Sequence, residues 1–339
     1  MTKKRKIIIA LILIFIAIGV FLILRKPVIE DITLSPPDVE FEVKSIEITE
    51  NTTLPLWLND KEIIYALESA IVSINIENLE KITLTEFENL LGSLVAGSNK
   101  IAIQTGLPFT EIKNYYIYSD EKLKEINLSQ YEPVVSFSLS VDGNNLLFLG
   151  NYAANTNSAN LYYYGLDTEQ VDGPIFKNFP FSTIKWIDSE KALTYKFADE
   201  QDGENIFLFD LGNNSLNQIF PTLTNLSINL LSPDSSQLLL SGDGKLLVKN
   251  LENISQTNEL KNERFYGTWI DNQNVLITPS DTPINFKILN VKTKEEKDIE
   301  DPDTLSDKFV RSFFPSPDKK SFILRTFDNE WFVVNINTK

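Results

Sequence analysis

Cysteine and histidine are both missing from the 339 residues, methionine occurs once, and glycine only 13 times. Without Cys there is no disulfide, no zinc–thiolate site, no thiol nucleophile and no acylated lipoprotein Cys. Without His there is no Ser-His-Asp or Cys-His machinery and no histidine-ligated metal. Glycine-rich phosphate loops of the P-loop or dinucleotide-binding type are absent as well. Basic residues are the minority charge, 31 against 47 acidic, for a formal net charge of −16. Lys3, Lys4, Arg5, Lys6, Arg25 and Lys26 are the only charged residues before Glu30, so 27–339 holds 25 basic and 47 acidic residues, a net of −22. A surface that negative repels nucleic-acid phosphates and anionic lipid head groups, and no basic stripe offsets it. Nucleic-acid binding is therefore set aside.

One long apolar run is present. After the basic tail of residues 1–6, residues 7–24 (IIIALILIFIAIGVFLIL) are 18 consecutive residues without a charged or hydrogen-bonding side chain. As a helix they span roughly 27 Å, about the thickness of a bilayer's hydrocarbon core. Helix is also the form that satisfies the backbone where lipid offers no partners. Four basic residues precede the run and two follow it, which keeps the N-terminus cytoplasmic and places 27–339 outside. A cleaved secretory signal is the competing reading. Its only small-x-small site near the end, Ala17-Ile18-Gly19, would leave Val20 to Leu24 as an apolar new terminus, so an uncleaved transmembrane anchor is preferred. Residues 27–38, with Pro27, Pro36 and Pro37, read as a short extended linker.

From residue 39 onward, short β-branched, aromatic and aliphatic runs alternate with Asn, Asp, Gly, Ser and Pro turns, the mark of an all-β domain. One kind of turn recurs: Trp57-Leu58-Asn59-Asp60, Ala96-Gly97-Ser98-Asn99, Leu139-Ser140-Val141-Asp142-Gly143, Trp186-Ile187-Asp188-Ser189, Leu231-Ser232-Pro233-Asp234-Ser235, Trp269-Ile270-Asp271-Asn272 and Pro315-Ser316-Pro317-Asp318-Lys319. Taking Asp60, Asn99, Asp142, Asp188, Asp234, Asp271 and Asp318 as markers, the spacings are 39, 43, 46, 46, 37 and 47. Four strands per unit at this period indicate a β-propeller, here with seven blades and with six or eight as alternatives. The Asp or Asn side chain serves each turn by bonding its backbone.

The fifth unit illustrates the pattern: strands are predicted at 226–232, 237–242, 245–252 and 254–261. Leu238-Leu239-Leu240 is apolar on both faces, as a blade between two neighbours requires. The seventh unit supplies only 309–316, 321–327 and 330–337. The unclaimed run 39–49 (VEFEVKSIEIT) is predicted to pair outside 330–337 and complete that blade, removing two exposed edges. Trp57, Trp186 and Trp269 end inner strands at equivalent places and are expected in the core between blades.

The turns Ser232-Pro233-Asp234-Ser235, Ser316-Pro317-Asp318-Lys319 and Ser140-Val141-Asp142-Gly143 resemble the Ser-Pro-Asp-Gly turn of TolB-type, WD40-like propeller repeats. They are also similar to repeats in the propeller domains of prolyl-oligopeptidase-type peptidases. The resemblance covers most of 54–339. It implies an extracytoplasmic propeller used for protein interaction. Peptidase activity does not follow, because that hydrolase domain would need a His and room this chain lacks.

The acidic cluster Asp199-Glu200-Gln201-Asp202-Gly203-Glu204 lacks the spacing of a calcium loop and reads as a solvated hairpin tip. Glu300-Asp301-Pro302-Asp303 with Asp307 reads the same way. No metal or cofactor is expected. In a four-stranded meander the second-to-third strand loops and the blade-to-blade connections share one face, and loops on a rigid scaffold commonly carry recognition. On that face Phe109, Phe176, Phe179 and Phe181, with Asp199 and Asp202, are the candidate partner-binding residues. Packing within blades two to four is the alternative role for the phenylalanines. The chain thus reads as a non-enzymatic, single-pass protein of a bacterial plasma membrane, its monomeric ectodomain docking an envelope protein. Glycan or polymer binding by the loop face is carried as a second reading. A glycosidase or lyase using a carboxylate pair is the third.

Overall fold

The computed structural model describes residues 36–338, apart from 49–53, 89–90, 107–112, 141, 157, 180–182, 188–189, 198–203, 214, 224–227, 243, 254 and 301. Its strands form seven four-stranded antiparallel sheets. Six are consecutive meanders: blade 1 spans residues 56–86, blade 2 91–126, blade 3 136–179, blade 4 183–223, blade 5 228–261 and blade 6 265–298. Blade 7 takes its first three strands from Val310–Pro315, Ser321–Thr326 and Trp331–Thr338. Its outer strand is Val39–Ile46, antiparallel to Trp331–Thr338 with Val39 opposite Thr338 and Ile46 opposite Trp331. The strand borrowed from the start of the chain closes the ring, as the sequence predicted.

Packing follows from the two-residue period of strands. Each buried core cluster among the described residues belongs to one pair of consecutive blades, including blades 7 and 1. Leu238 and Leu240 pack toward blade 4, whereas Leu239, between them, packs toward blade 6. Likewise Leu146 and Phe148 face blade 2 while Leu147 and Leu149 face blade 4. All seven side chains are almost fully buried. At ~1.5–3 kcal/mol per fully buried large apolar side chain, these seams are the main stabilising contribution. Trp57, Trp186 and Trp269 are buried in them, as expected.

The recurring turn joins the first and second strands of each blade, and three copies share one wiring. Ser140, Ser232 and Ser316 donate from Oγ to Asp142, Asp234 and Asp318, at 2.5, 2.6 and 2.7 Å. The same hydroxyls accept the backbone N–H of Asn145, Gln237 and Ser321 at 2.9, 3.0 and 3.0 Å. Each Asp then accepts a second N–H two residues on, from Asn144, Ser236 and Lys320. The turns also join one another around the ring. Asp318 N donates to Asp60 Oδ1, Asp234 N to Asn272 Oδ1, and Asn99 N to the Leu58 carbonyl.

Two strands of blade 5 are shorter than the sequence predicted, running Lys245–Asn250 and Thr257–Lys261. Asn250 Oδ1 accepts the N–H groups of Glu252 and Asn253, which bends the chain out of the strand early. Residues 7–24 lie outside the described residues. Among the described residues no helix is long and apolar enough to cross a membrane.

Candidate functional site

A four-stranded meander gives the ring two chemically distinct faces. The first-to-second and third-to-fourth turns emerge on one, called here the turn face. The second-to-third turns and the blade-to-blade connections emerge on the other, the connection face. The chain joins the ring at the turn face, because Val39 lies beside Thr338 at the far end of that strand. Lys297 holds this junction, donating to the carbonyls of Pro36 and Pro37 at 3.3 Å each and pairing with Asp38.

Of the predicted site residues, Phe109, Phe181, Asp199 and Asp202 lie outside the described residues. Phe176 and Phe179 are on the outer strand of blade 3, Gln170–Phe179. Their rings meet edge-on at 5.4 Å and both face Phe209 of blade 4, at 6.4 and 6.3 Å. Phe179 is completely buried. The role as an exposed anchor is therefore corrected for Phe179: it fills the seam between blades 3 and 4. A shift of register between Ala159 and Leu161 in the strand pairing sets which residues of this strand turn inward.

Among the described residues, the exposed aromatics of the connection face are elsewhere, on blade 7. Phe309 precedes its inner strand and Phe327 begins its second-to-third turn, and they are 41% and 61% exposed. Phe327 N donates to the Phe309 carbonyl at 3.1 Å, so the two are fixed side by side. Leu54 and Val135, also exposed, stand on connections of the same face. Ile82 and Leu123, the remaining exposed large apolar residues among those described, lie on outer strands. The three arginines beyond residue 26 are Arg264, Arg311 and Arg325, and all fall on blades 6 and 7 toward this face. Asn329, with φ of 64°, accepts from Arg311 at 2.8 Å and from Arg325 at 2.9 Å. Arg325 also lies over the Trp331 ring at 5.0 Å. The Tyr266 hydroxyl donates to the Arg311 carbonyl at 3.1 Å. Phe, Tyr and Arg held in fixed positions are the composition of a recognition surface. Sequence reasoning did not single out this sector, since Phe309 and Phe327 look like ordinary strand ends.

Two hollows occur away from this sector. A cavity of about 430 Å³ between blades 5 and 6 is lined by Gln237, Asn250, Gln256, Asn258, Asn272 and Gln273 among others. Its amides already bridge the blades: Asn258 Nδ2 donates to the Val291 carbonyl at 2.6 Å and Gln237 Nε2 to the Asn272 carbonyl at 3.1 Å. A second hollow of about 600 Å³ beside the closing strand gathers Asp38, Glu40, Glu300 and Asp303. Among the described residues no three Asp or Glu are close enough to hold a metal ion. Hydrogen bonds hold the carboxyl groups of Glu42, Asp142 and Asp210 below their ordinary range. At Asp234 partial burial opposes this, but bonds from Ser232 and Ser236 prevail and its pKa also falls. A general acid at neutral pH needs the opposite displacement.

No protein family matches the sequence, and no curated protein matches it. Among solved structures the fold is similar to the WD40 domain of Pan2 from Neurospora crassa, with a TM-score of 0.61 and 10% identity over 89% of this chain and 96% of that one. It is similar to tricorn protease at a TM-score of 0.60 and 13% identity, over 90% of this chain and 35% of that one. The chain thus spans about a third of tricorn protease. The C-terminal WD40 domain of Sif2 gives a TM-score of 0.53 at 12% identity, over 87% of this chain and 98% of that domain. Identities this low concern fold alone. The ring, the turns and these likenesses agree: the chain folds as a seven-bladed, WD40-like β-propeller.

Proposed function

We propose that this protein is a membrane-anchored, extracytoplasmic propeller of the bacterial cell envelope whose connection face docks another envelope protein. The observation that carries the reading is the exposed Phe309–Phe327 pair beside Arg311 and Arg325, both held by Asn329. Preset side chains lose little entropy on binding, and aromatic and Arg anchors dominate interface energies. The apolar run 7–24 supports the anchor.

The test is crosslinking in intact membranes from a photoreactive residue placed at position 327, followed by mass spectrometry. One dominant partner is expected from the parent. The double variant Phe309→Ser, Phe327→Ser should lose it while retaining the parent's circular dichroism spectrum and melting temperature. Undiminished crosslinking by that variant from a neighbouring position would defeat the reading.

A further inference from the structure

Arg311 owes its place to an irregularity in the inner strand of blade 7. Val310 pairs with Thr326 and Ser312 with Arg325, so Arg311 is an extra residue with no partner across the ladder. A bulge of this kind re-aims the side chain it inserts. The bulge is pinned from blade 6, where the Tyr266 hydroxyl bonds the Arg311 carbonyl. The turn opposite is equally fixed. Thr326 N donates to the Glu330 carbonyl at 3.0 Å, and Asn329 N to the Thr326 carbonyl at 3.1 Å. Asn329 takes up the left-handed backbone conformation there, which its short polar side chain tolerates.

Bulge and turn bring two cations together. A single oxygen, Asn329 Oδ1, accepts from Arg311 Nη1 at 2.8 Å and from Arg325 Nη2 at 2.9 Å, so the two guanidinium groups lie side by side. The bridging group is a neutral amide and cancels neither charge. Among the described residues neither arginine forms an ion pair, and Glu330 in the same turn is taken by Lys308 at 2.5 Å. Arg325 Nε is buried without a hydrogen-bond partner. Each guanidinium has five N–H donors, and the bond to Asn329 uses one from each. Adjacent like charges repel, and an anion bridging them offsets that cost.

The surroundings select among anions. A guanidinium fork fits carboxylate and phosphate alike. Phe309 and Phe327, bonded to each other through their backbones, expose apolar rings on the same blade, and these call for an apolar group next to the anion. The strongly negative charge of 27–339 repels a phosphate-rich polymer or an anionic membrane, but tolerates one isolated negative group.

Given the docking reading above, on which this rests, we propose that the partner is held through one Asp or Glu side chain set in an apolar segment. The carboxylate bridges Arg311 and Arg325, and an apolar neighbour in the segment covers Phe309 and Phe327. Asn329 presets the two arginines, so little ordering remains to be done on binding.

The experiment uses the full chain in intact membranes, with a photoreactive residue at the exposed position 328. The parent should capture one dominant partner. The double variant Arg311→Gln, Arg325→Gln should capture at least tenfold less of it, with circular dichroism spectrum and melting temperature confirming the fold. Arg311→Gln alone, at an exposed position, leaves Arg325 over Trp331 and should still lose at least threefold. In Arg325→Lys, a carbodiimide should join the introduced amine directly to an Asp or Glu side chain of the partner, identified by mass spectrometry as a zero-length amide. Undiminished capture of the same partner by the folded neutral variants would overturn the carboxylate proposal and leave the docking reading standing. Charge-dependent capture without that amide would assign the anion to another group, such as phosphate, and would overturn it too. Absence of any dominant partner in the parent would remove both the docking reading and the proposal.

Discussion

The indole N–H of Trp57 donates to the carbonyl oxygen of Phe314 at 2.9 Å, joining the inner strand of blade 1 to that of blade 7. The two residues are 257 positions apart. Beside this bond, Asp318 N reaches Asp60 Oδ1 at 3.1 Å, and Ile46, Trp57, Ile63, Ile323 and Trp331 form one buried cluster. The seam at which first and last blades meet is therefore built like the others, with side chains from both ends of the chain.

Trp57→Phe keeps most of the apolar contact and leaves the Phe314 carbonyl without its donor. An unpaired partly buried acceptor costs about 1–3 kcal/mol. Urea unfolding should show a lower midpoint, and a midpoint equal to the parent's would mean that this bond contributes nothing to closure.

Removing residues 39–46 exposes the Trp331–Thr338 strand along its length. Unpaired edges invite association. The shortened chain is expected to elute as aggregates in size-exclusion chromatography, whereas a monomer as stable as the parent would show the ring does not depend on that strand.

Acid should weaken the Ser-x-Asp turns. Hydrogen bonding keeps the Asp142 carboxyl below its ordinary pKa, and at Asp234 the same bonds outweigh the effect of burial. Groups depressed in the folded state contribute stability above the unfolded value of about 4, and lose it as pH falls through the folded value. Melting temperature should therefore drop below about pH 4, and the drop should shrink in the double variant Asp142→Asn, Asp234→Asn. The effect is modest, since both carboxylates are solvent-exposed.

Lys319 gives the reverse pH dependence. Its folded pKa of about 8 lies below the unfolded lysine value of about 10.4, so the unfolded chain binds more protons in that interval. This group should make stability rise between about pH 8 and 10, as the partly buried cation discharges. Lys319→Met should remove that contribution from the stability–pH profile, measured by chemical denaturation.

Phe179 and Phe327 should respond in opposite ways to truncation. Phe179→Ala opens a cavity in a sealed seam and should cost about 3–5 kcal/mol. Phe327→Ser, at an exposed position, should change stability by less than about 0.5 kcal/mol. Equal losses at the two sites would contradict the assignment of one to the core and the other to the surface.

Much of the architecture could be read from local chemistry. The Ser-x-Asp turns carry their own wiring, because hydroxyl, carboxylate and backbone donors lie within five residues of one another. Leu238-Leu239-Leu240 shows two-sided burial directly, since alternate side chains must find apolar neighbours on both faces. The unclaimed run 39–49 was legible as the missing member of blade 7 because three strands leave an edge to be covered; the strand it forms is Val39–Ile46. The identity of exposed phenylalanines was not legible in this way. Phe179 and Phe327 both sit at strand ends, and the register shift in blade 3 decides that the former turns inward.

Strand period, turn chemistry and blade count are short-range properties of the polypeptide, carried by side chains that act within a few residues of one another. The bond of Trp57 to Phe314, separated by 257 positions, and the gathering of Arg311, Arg325 and Phe309 on one face are different in kind. They exist only because seven sheets pack into a closed circle, which brings the first and last blades together and sends all connections of one type to one side.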